Sequence, residues 1–288
     1  MHATHRAAEH RAHRASASAT ATAVALAVAV AGLSACGLSG SQKDSMSQKD
    51  SLVIGVKEDQ PALGVKRQDG SYEGFDVDVA TYIAAELGVP KSRVTFRTTN
   101  SSVREDALAK GDVDMIVATY SITAKRKTGV TFAGPYYVAH QDTFVRADAL
   151  SINDVRDLKG KRICEVTGSN SWRRVIEERK VAARPVTVNT YGACMDALAA
   201  GRLDAVSTDD LILAGFAAGR AGRMINAPFT DEKYGVGLKK GDLKGCEEVN
   251  RAITRMYQDG TAQRLLTKWF GKSGLKLNTS VPQFEGCT

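Results

Sequence analysis

Between residues 52 and 270, short apolar runs alternate with stretches whose apolar residues recur at helical spacing. Leu52–Val56 reads as a strand. Val79, Ile83 and Leu87 then recur four apart, with Asp76 placed to cap that helix and Gly88 to stop it. Residues 94–97 follow as a strand, Arg104–Lys110 as a helix and 113–118 as a strand. A second series begins after residue 145. Asp154 opens a short helical turn, 162–166 is a strand, 171–180 a helix, 186–188 a strand, 193–200 a helix, 203–207 a strand and 211–218 a helix. The segment 246–270 is helical with a break at Gly260. Two such series of similar size predict two α/β lobes, each a mostly parallel sheet flanked by helices.

Ligands of such lobes sit outside the carboxyl ends of the strands, where helix N-termini also point. Residues 119–126, rich in hydroxyls and ending in Arg126, hold that position in the first lobe. In the second lobe it is held by 168–171 (Gly-Ser-Asn-Ser) and 208–210 (Thr-Asp-Asp). A guanidinium beside hydroxyl donors at the end of a buried strand suits a carboxylate. A cleft between the lobes would bring these edges together.

The ends of the chain bear on location. Residues 2–14 are rich in His and Arg, and an apolar run too short to span a bilayer leads into Leu33-Ser34-Ala35-Cys36. This predicts a secretory signal peptide over 1–35, with Cys36 as a lipidated first residue in a lipobox-like setting. Residues 36–51, in which Ser-Gln-Lys-Asp-Ser occurs twice, read as a flexible linker. Removing Arg6, Arg11, Arg14 and Glu9 with the leader leaves 36 basic against 31 acidic residues, a net +5. The signs alternate along the chain, which does not indicate nucleic acid.

Of five histidines only His140 lies beyond the leader, which argues against a Ser-His-Asp triad or a His-rich metal site. Cys164, Cys194, Cys246 and Cys287 show no metal-ligand spacing. In an exported chain they suggest disulfides, Cys164 with Cys194 and Cys246 with Cys287, each contributing ~3–4 kcal/mol in the chain-entropy model. Four reduced core thiols are the alternative.

Five segments in order carry a resemblance: 54–57 (IGVK), 72–78 (YEGFDVD), 119–126 (TYSITAKR), 132–137 (FAGPYY) and 268–271 (KWFG). Together they resemble the polar amino-acid family of solute-binding proteins of ABC importers, in its glutamate-binding lipoprotein branch, over about residues 52–275. The resemblance implies a two-lobed periplasmic-binding-protein-like (type II) fold with two crossover segments. Residues 52–142 would form lobe 1, 143–230 lobe 2, and 231–288 the return to lobe 1 with the tail. It implies a monomer that captures an acidic amino acid and delivers it to permease and ATPase subunits, without cofactor or catalysis.

Carried over, Arg126 and Ser121 would hold the ligand's α-carboxylate with the backbone near Thr119. Thr167, Ser169 and Asn170 would donate to it from lobe 2, and Asp209 would take the α-ammonium. Lys57 and Arg104 fall where acidic side chains are met, with Ser101 and Tyr191 in the same pocket; Tyr136 and Tyr137 would pack at the crossover. Three cations against Asp209 leave +2, which glutamate or aspartate satisfies. Glutamine would strand a desolvated charge at roughly 3–5 kcal/mol. Another polar amino acid, an exported lyase or dehydratase using Glu165 or Asp210, and a domain reporting to a signalling partner are the rival readings.

Overall fold

The computed structural model describes residues 45–287. The expected signal peptide and the expected lipidation of Cys36 fall outside the described residues. The chain enters through a short 3-10 turn, Met46–Gln48, capped by the Ser45 hydroxyl. The linker expected over 36–51 is therefore docked from residue 45 onward. Met46 is buried in the core, and its amide donates to Asp242 Oδ2 at 3.0 Å. Burial of that thioether outweighs the polar composition that reads as a tether.

β1 (Leu52–Val56) begins the first lobe and is followed by a small meander, β2 (Asp59–Gln60), β3 (Gly64–Lys66) and β4 (Tyr72–Glu73). α1 (Phe75–Glu86) buries Val79, Ala80 and Ile83 on one face. Its cap is Gly74, and Asp76 lies inside the first turn, buried and bonded elsewhere. β5 (Val94–Thr98), α2 (Arg104–Lys110), β6 (Met115–Ile116) and α3 (Ala124–Lys127) complete this series. The strand expected over 113–118 pairs only at Met115 and Ile116. Both β5 and β6 run parallel to β1.

β7 (Val130–Val145) is a sixteen-residue strand that leaves the first lobe. The second lobe then winds through β8 (Arg162–Val166), α4 (Ser171–Arg173), β9 (Arg184–Val188), α5 (Tyr191–Ala199), β10 (Ala205–Asp209), α6 (Asp210–Ala217) and β11 (Arg223–Met224). A π-helical turn, Arg174–Glu178, extends α4. β12 (Thr230–Lys239) returns antiparallel to β7. α7 (Leu243–Gln258) and α8 (Thr261–Phe270) close the first lobe and are separated by Gly260 at φ 75°, the left-handed region that glycine occupies without penalty.

One sheet runs through both lobes in the order β5-β1-β6-β12-β7-β10-β8-β9. β12 and β7 thus form its middle and are the two crossing segments. Tyr136, Tyr137 and Tyr234 are buried there and pack against one another and Phe75. Both disulfides pair as expected, Cys164–Cys194 within the second lobe and Cys246–Cys287 pinning the tail to α7. Among the described residues no helix is long and apolar enough to cross a membrane.

Candidate ligand-binding cleft

Three cations gather at the carboxyl ends of the first-lobe strands. Lys57, just past β1, is buried and donates to Ser101 Oγ at 2.8 Å. Burial, then the Arg104 charge, pushes its ammonium well below the usual lysine range. Arg104 opens α2 and is only 2% exposed; its Nη1 reaches Ala118 O at 3.4 Å, and its Nε has no hydrogen-bond partner. Arg126, on α3, donates through Nη1 to Ser121 O at 2.8 Å. Burial and the neighbouring Arg104 lower the Arg126 guanidinium to about 10.

A platform keeps these like charges in place. The Tyr120 ring lies beneath both guanidiniums, with Cζ of Arg104 3.8 Å and Cζ of Arg126 5.0 Å from its centroid. Its hydroxyl donates to Glu105 Oε1 at 2.6 Å, and that oxygen is 3.7 Å from Arg104 Nε and 3.6 Å from Arg126 Nε. Neither Tyr120 nor Glu105 is singled out by the sequence reading.

The second lobe presents mostly neutral donors. Ser169 and Asn170 follow β8, and Ser171 Oγ bonds Tyr191 Oη at 2.9 Å and Thr208 Oγ1 at 3.0 Å. Asp209 ends β10, is 4% exposed, and accepts from the Tyr234 hydroxyl at 2.7 Å. Burial, then Glu232, raises its carboxyl well above the usual range. Glu232, another residue missed in the sequence, is itself paired with Arg174 Nε at 2.7 Å.

These two edges meet. Ser101, Arg104, Thr119, Ser121 and Arg126 line one side of a cavity, and Ser169, Asn170, Ser171, Tyr191 and Asp209 line the other with Ile212. The cavity is small, about 20 Å³. The lobes approach closely around it: Arg126 Nη2 donates to Gly168 O at 3.1 Å. A Cβ on Gly168, at φ +78°, would stand 2.3 Å from Ser101 O, so only glycine fits. Further out, the Gly192 amide donates to Asp59 Oδ2 at 2.9 Å.

Two expected residues stand apart from the lining. Lys57 lies behind Ser101, whereas Thr167 is exposed and turns its hydroxyl toward Val188 O at 3.4 Å. The Thr119 amide, expected to help hold a ligand, donates instead to Asp76 Oδ2. Larger surface depressions of about 360 Å³ beside Phe144 and Met195 and about 750 Å³ beside Tyr72 and Trp269 are lined by no buried ionisable group. Buried ionisable groups, Arg104 and Asp209, line the small cavity instead. Among the described residues no group of three or more His, Cys, Asp or Glu is placed to hold a metal ion.

The model of bacterial extracellular solute-binding proteins, family 3, matches residues 52–272. The chain belongs to this family. This solute-binding protein is 39% identical over 264 residues to the glutamate-binding protein GluB of Corynebacterium glutamicum, covering 87% of this chain and 89% of that protein. It is 35% identical over 251 residues to the ABC transporter glutamine-binding protein GlnH of Bacillus subtilis, covering 82% and 91%. Among solved structures, an ancestral arginine-binding protein bound to arginine superposes with a TM-score of 0.71 at 31% identity, covering 77% of this chain and 99% of that one.

The solute-binding protein therefore has the type II fold and is exported. Its relatives are binding proteins rather than enzymes, so the lyase alternative falls. Glu165 and Asp210, the carboxylates that alternative required, are outside the cavity lining.

Proposed function

We propose that this solute-binding protein captures L-glutamate between its lobes and delivers it to an ABC importer. Closure of the lobes on the ligand and a lipid anchor on Cys36 belong to this reading. The observation that carries it is the pair Arg104 and Arg126 at one edge of a cavity, backed by buried Lys57 behind Ser101, with Asp209 at the opposite edge. Arg126 and Ser121 suit the α-carboxylate, Asp209 the α-ammonium, and Arg104, with Lys57 acting through Ser101, the side-chain carboxylate. The unpartnered Arg104 Nε is a buried donor that an anionic side chain would satisfy.

Glu105 revises the charge count. Three cations against Asp209 and Glu105 leave +1, and glutamate, at −1, brings the group to neutrality. Glutamine would leave the excess cation in a closed cleft. The glutamate-binding relative supports the same ligand; the glutamine-binding relative makes glutamine the competitor to exclude.

Calorimetric titration of the protein, unfolded and refolded to strip bound ligand, decides the matter. Micromolar or tighter binding of glutamate, with glutamine at least ~100-fold weaker, is expected from the cost of an unpaired buried charge. Equal binding of glutamine would remove Lys57 and Arg104 from the ligand's side-chain pocket. No binding of any amino acid would overturn the reading.

A further inference from the structure

Asp76 is a carboxylate with no exposed surface, inside a helix whose other inward positions are apolar. Such a group persists only when its oxygens are bonded. Oδ2 accepts from the Thr119 amide at 2.9 Å and Oδ1 from the Tyr136 hydroxyl at 2.7 Å. The two partners belong to different parts of the machine. Thr119 lines the cavity at the point where the chain leaves β6, and Tyr136 lies on the crossing strand β7.

Thr119 has φ 44°, a left-handed conformation that a β-branched residue adopts only under constraint. Its hydroxyl is also tied, to Ala118 O at 2.8 Å and Gln60 Oε1 at 3.2 Å. The turn sends the chain through Ser121 to Arg126 along the cavity wall. The Tyr136 ring in turn lies 6.0 Å from that of Tyr234, whose hydroxyl bonds Asp209 in the other lobe. Both edges of the cleft therefore hang on tyrosines of the crossing strands.

We propose that Asp76 is a positioning residue for ligand binding: its buried carboxyl holds the left-handed turn at Thr119 and ties that turn to the crossing strand through Tyr136. This rests on the ligand reading above. A neutral amide in its place would still accept from the Thr119 amide with its oxygen and donate to the Tyr136 oxygen with its nitrogen. A methyl group can do neither. The geometry, not the charge, is the functional quantity.

The test compares Asp76→Ala, Asp76→Asn and Tyr136→Phe by calorimetry with glutamate, alongside the ¹⁵N–¹H resonance of the Thr119 amide. Asp76→Ala is expected to weaken glutamate binding by about 30-fold, because a buried amide loses its acceptor and the strained turn its clamp. Asp76→Asn should stay within about threefold of wild type, and that rescue separates positioning from charge. A folded Asp76→Ala that binds like wild type overturns the proposal, and so does an Asp76→Asn as damaged as Asp76→Ala. Should Asp76→Ala fail to fold, Tyr136→Phe decides: a loss of about fivefold with a displaced Thr119 resonance supports the link, and neither change overturns it. Failure of the wild type to bind any amino acid would instead strike the ligand reading. The Thr119 resonance, compared between wild type and Tyr136→Phe, tests the link without ligand.

Discussion

The two edges of the cleft are built from different materials. The first-lobe edge concentrates Lys57, Arg104 and Arg126 on a Tyr120 platform with Glu105 between the guanidiniums. The second-lobe edge is a network of hydroxyls around Ser171, with a single carboxylate, Asp209. Burial lowers Lys57 and Arg126 at the first and raises Asp209 at the second, so each edge is electrostatically uncomfortable alone. The proposed ligand, a zwitterion with an extra carboxylate, would relieve both at once. On the proposed reading, the asymmetry would place affinity and charge selection in the first lobe, and the ammonium partner and remaining hydrogen bonds in the second.

The sharpest way to break this comparison is Arg126→Ala. Removing the guanidinium strands the ligand carboxylate, and glutamate affinity should fall about 10³-fold by calorimetry; a loss under about tenfold would deny the first lobe its dominance. Next comes Lys57→Met, for which glutamate should weaken by roughly 30-fold and glutamine by no more than about threefold. Equal losses for the two ligands would show that Lys57 does not read the side chain.

The third prediction concerns stability. Burial raises the Asp76 carboxyl from 3.8 to about 7. Between those values the folded state holds the proton more than the unfolded state does, so this group's contribution to stability falls as pH rises through the window. Asp76→Asn removes that slope, and in urea unfolding the variant should gain about 2 kcal/mol on wild type between about pH 5 and about pH 8. A constant difference would mean that Asp76 does not titrate there. The smallest effects belong to the second lobe: Ser169→Ala should cost about fivefold in glutamate affinity. Thr167→Ala, at an exposed position outside the cavity lining, should change it less than about twofold, and a larger loss would return Thr167 to the site.

Much of the frame is legible along the chain because apolar periodicity and strand-end chemistry are local. β1, α2, β8 and the break at Gly260 stand where the pattern places them. Arg126 and Asp209, expected from their places behind buried strands, both line the cavity. Asp76 was misread as a cap, although it shares the inward face of α1 with Val79 and Ile83. A carboxylate at that spacing marks a buried polar anchor, but its partners at 119 and 136 are distant in sequence. The docking of Met46 was hidden for the same reason, since Asp242 lies 196 residues away.

By itself the sequence determined the two α/β series and the residue types fit to hold an amino acid, because these follow from periodicity, spacing and chemical type; the cysteine pairing it only suggested. Only the tertiary structure decided that β7 and β12 would be long strands at the centre of one continuous sheet. It also decided that Glu105 would temper the cations, that Thr167 would face outward, and that Asp76 would hold Thr119. Charge, desolvation and hydrogen-bond satisfaction depend on distances between side chains that the order of residues does not contain.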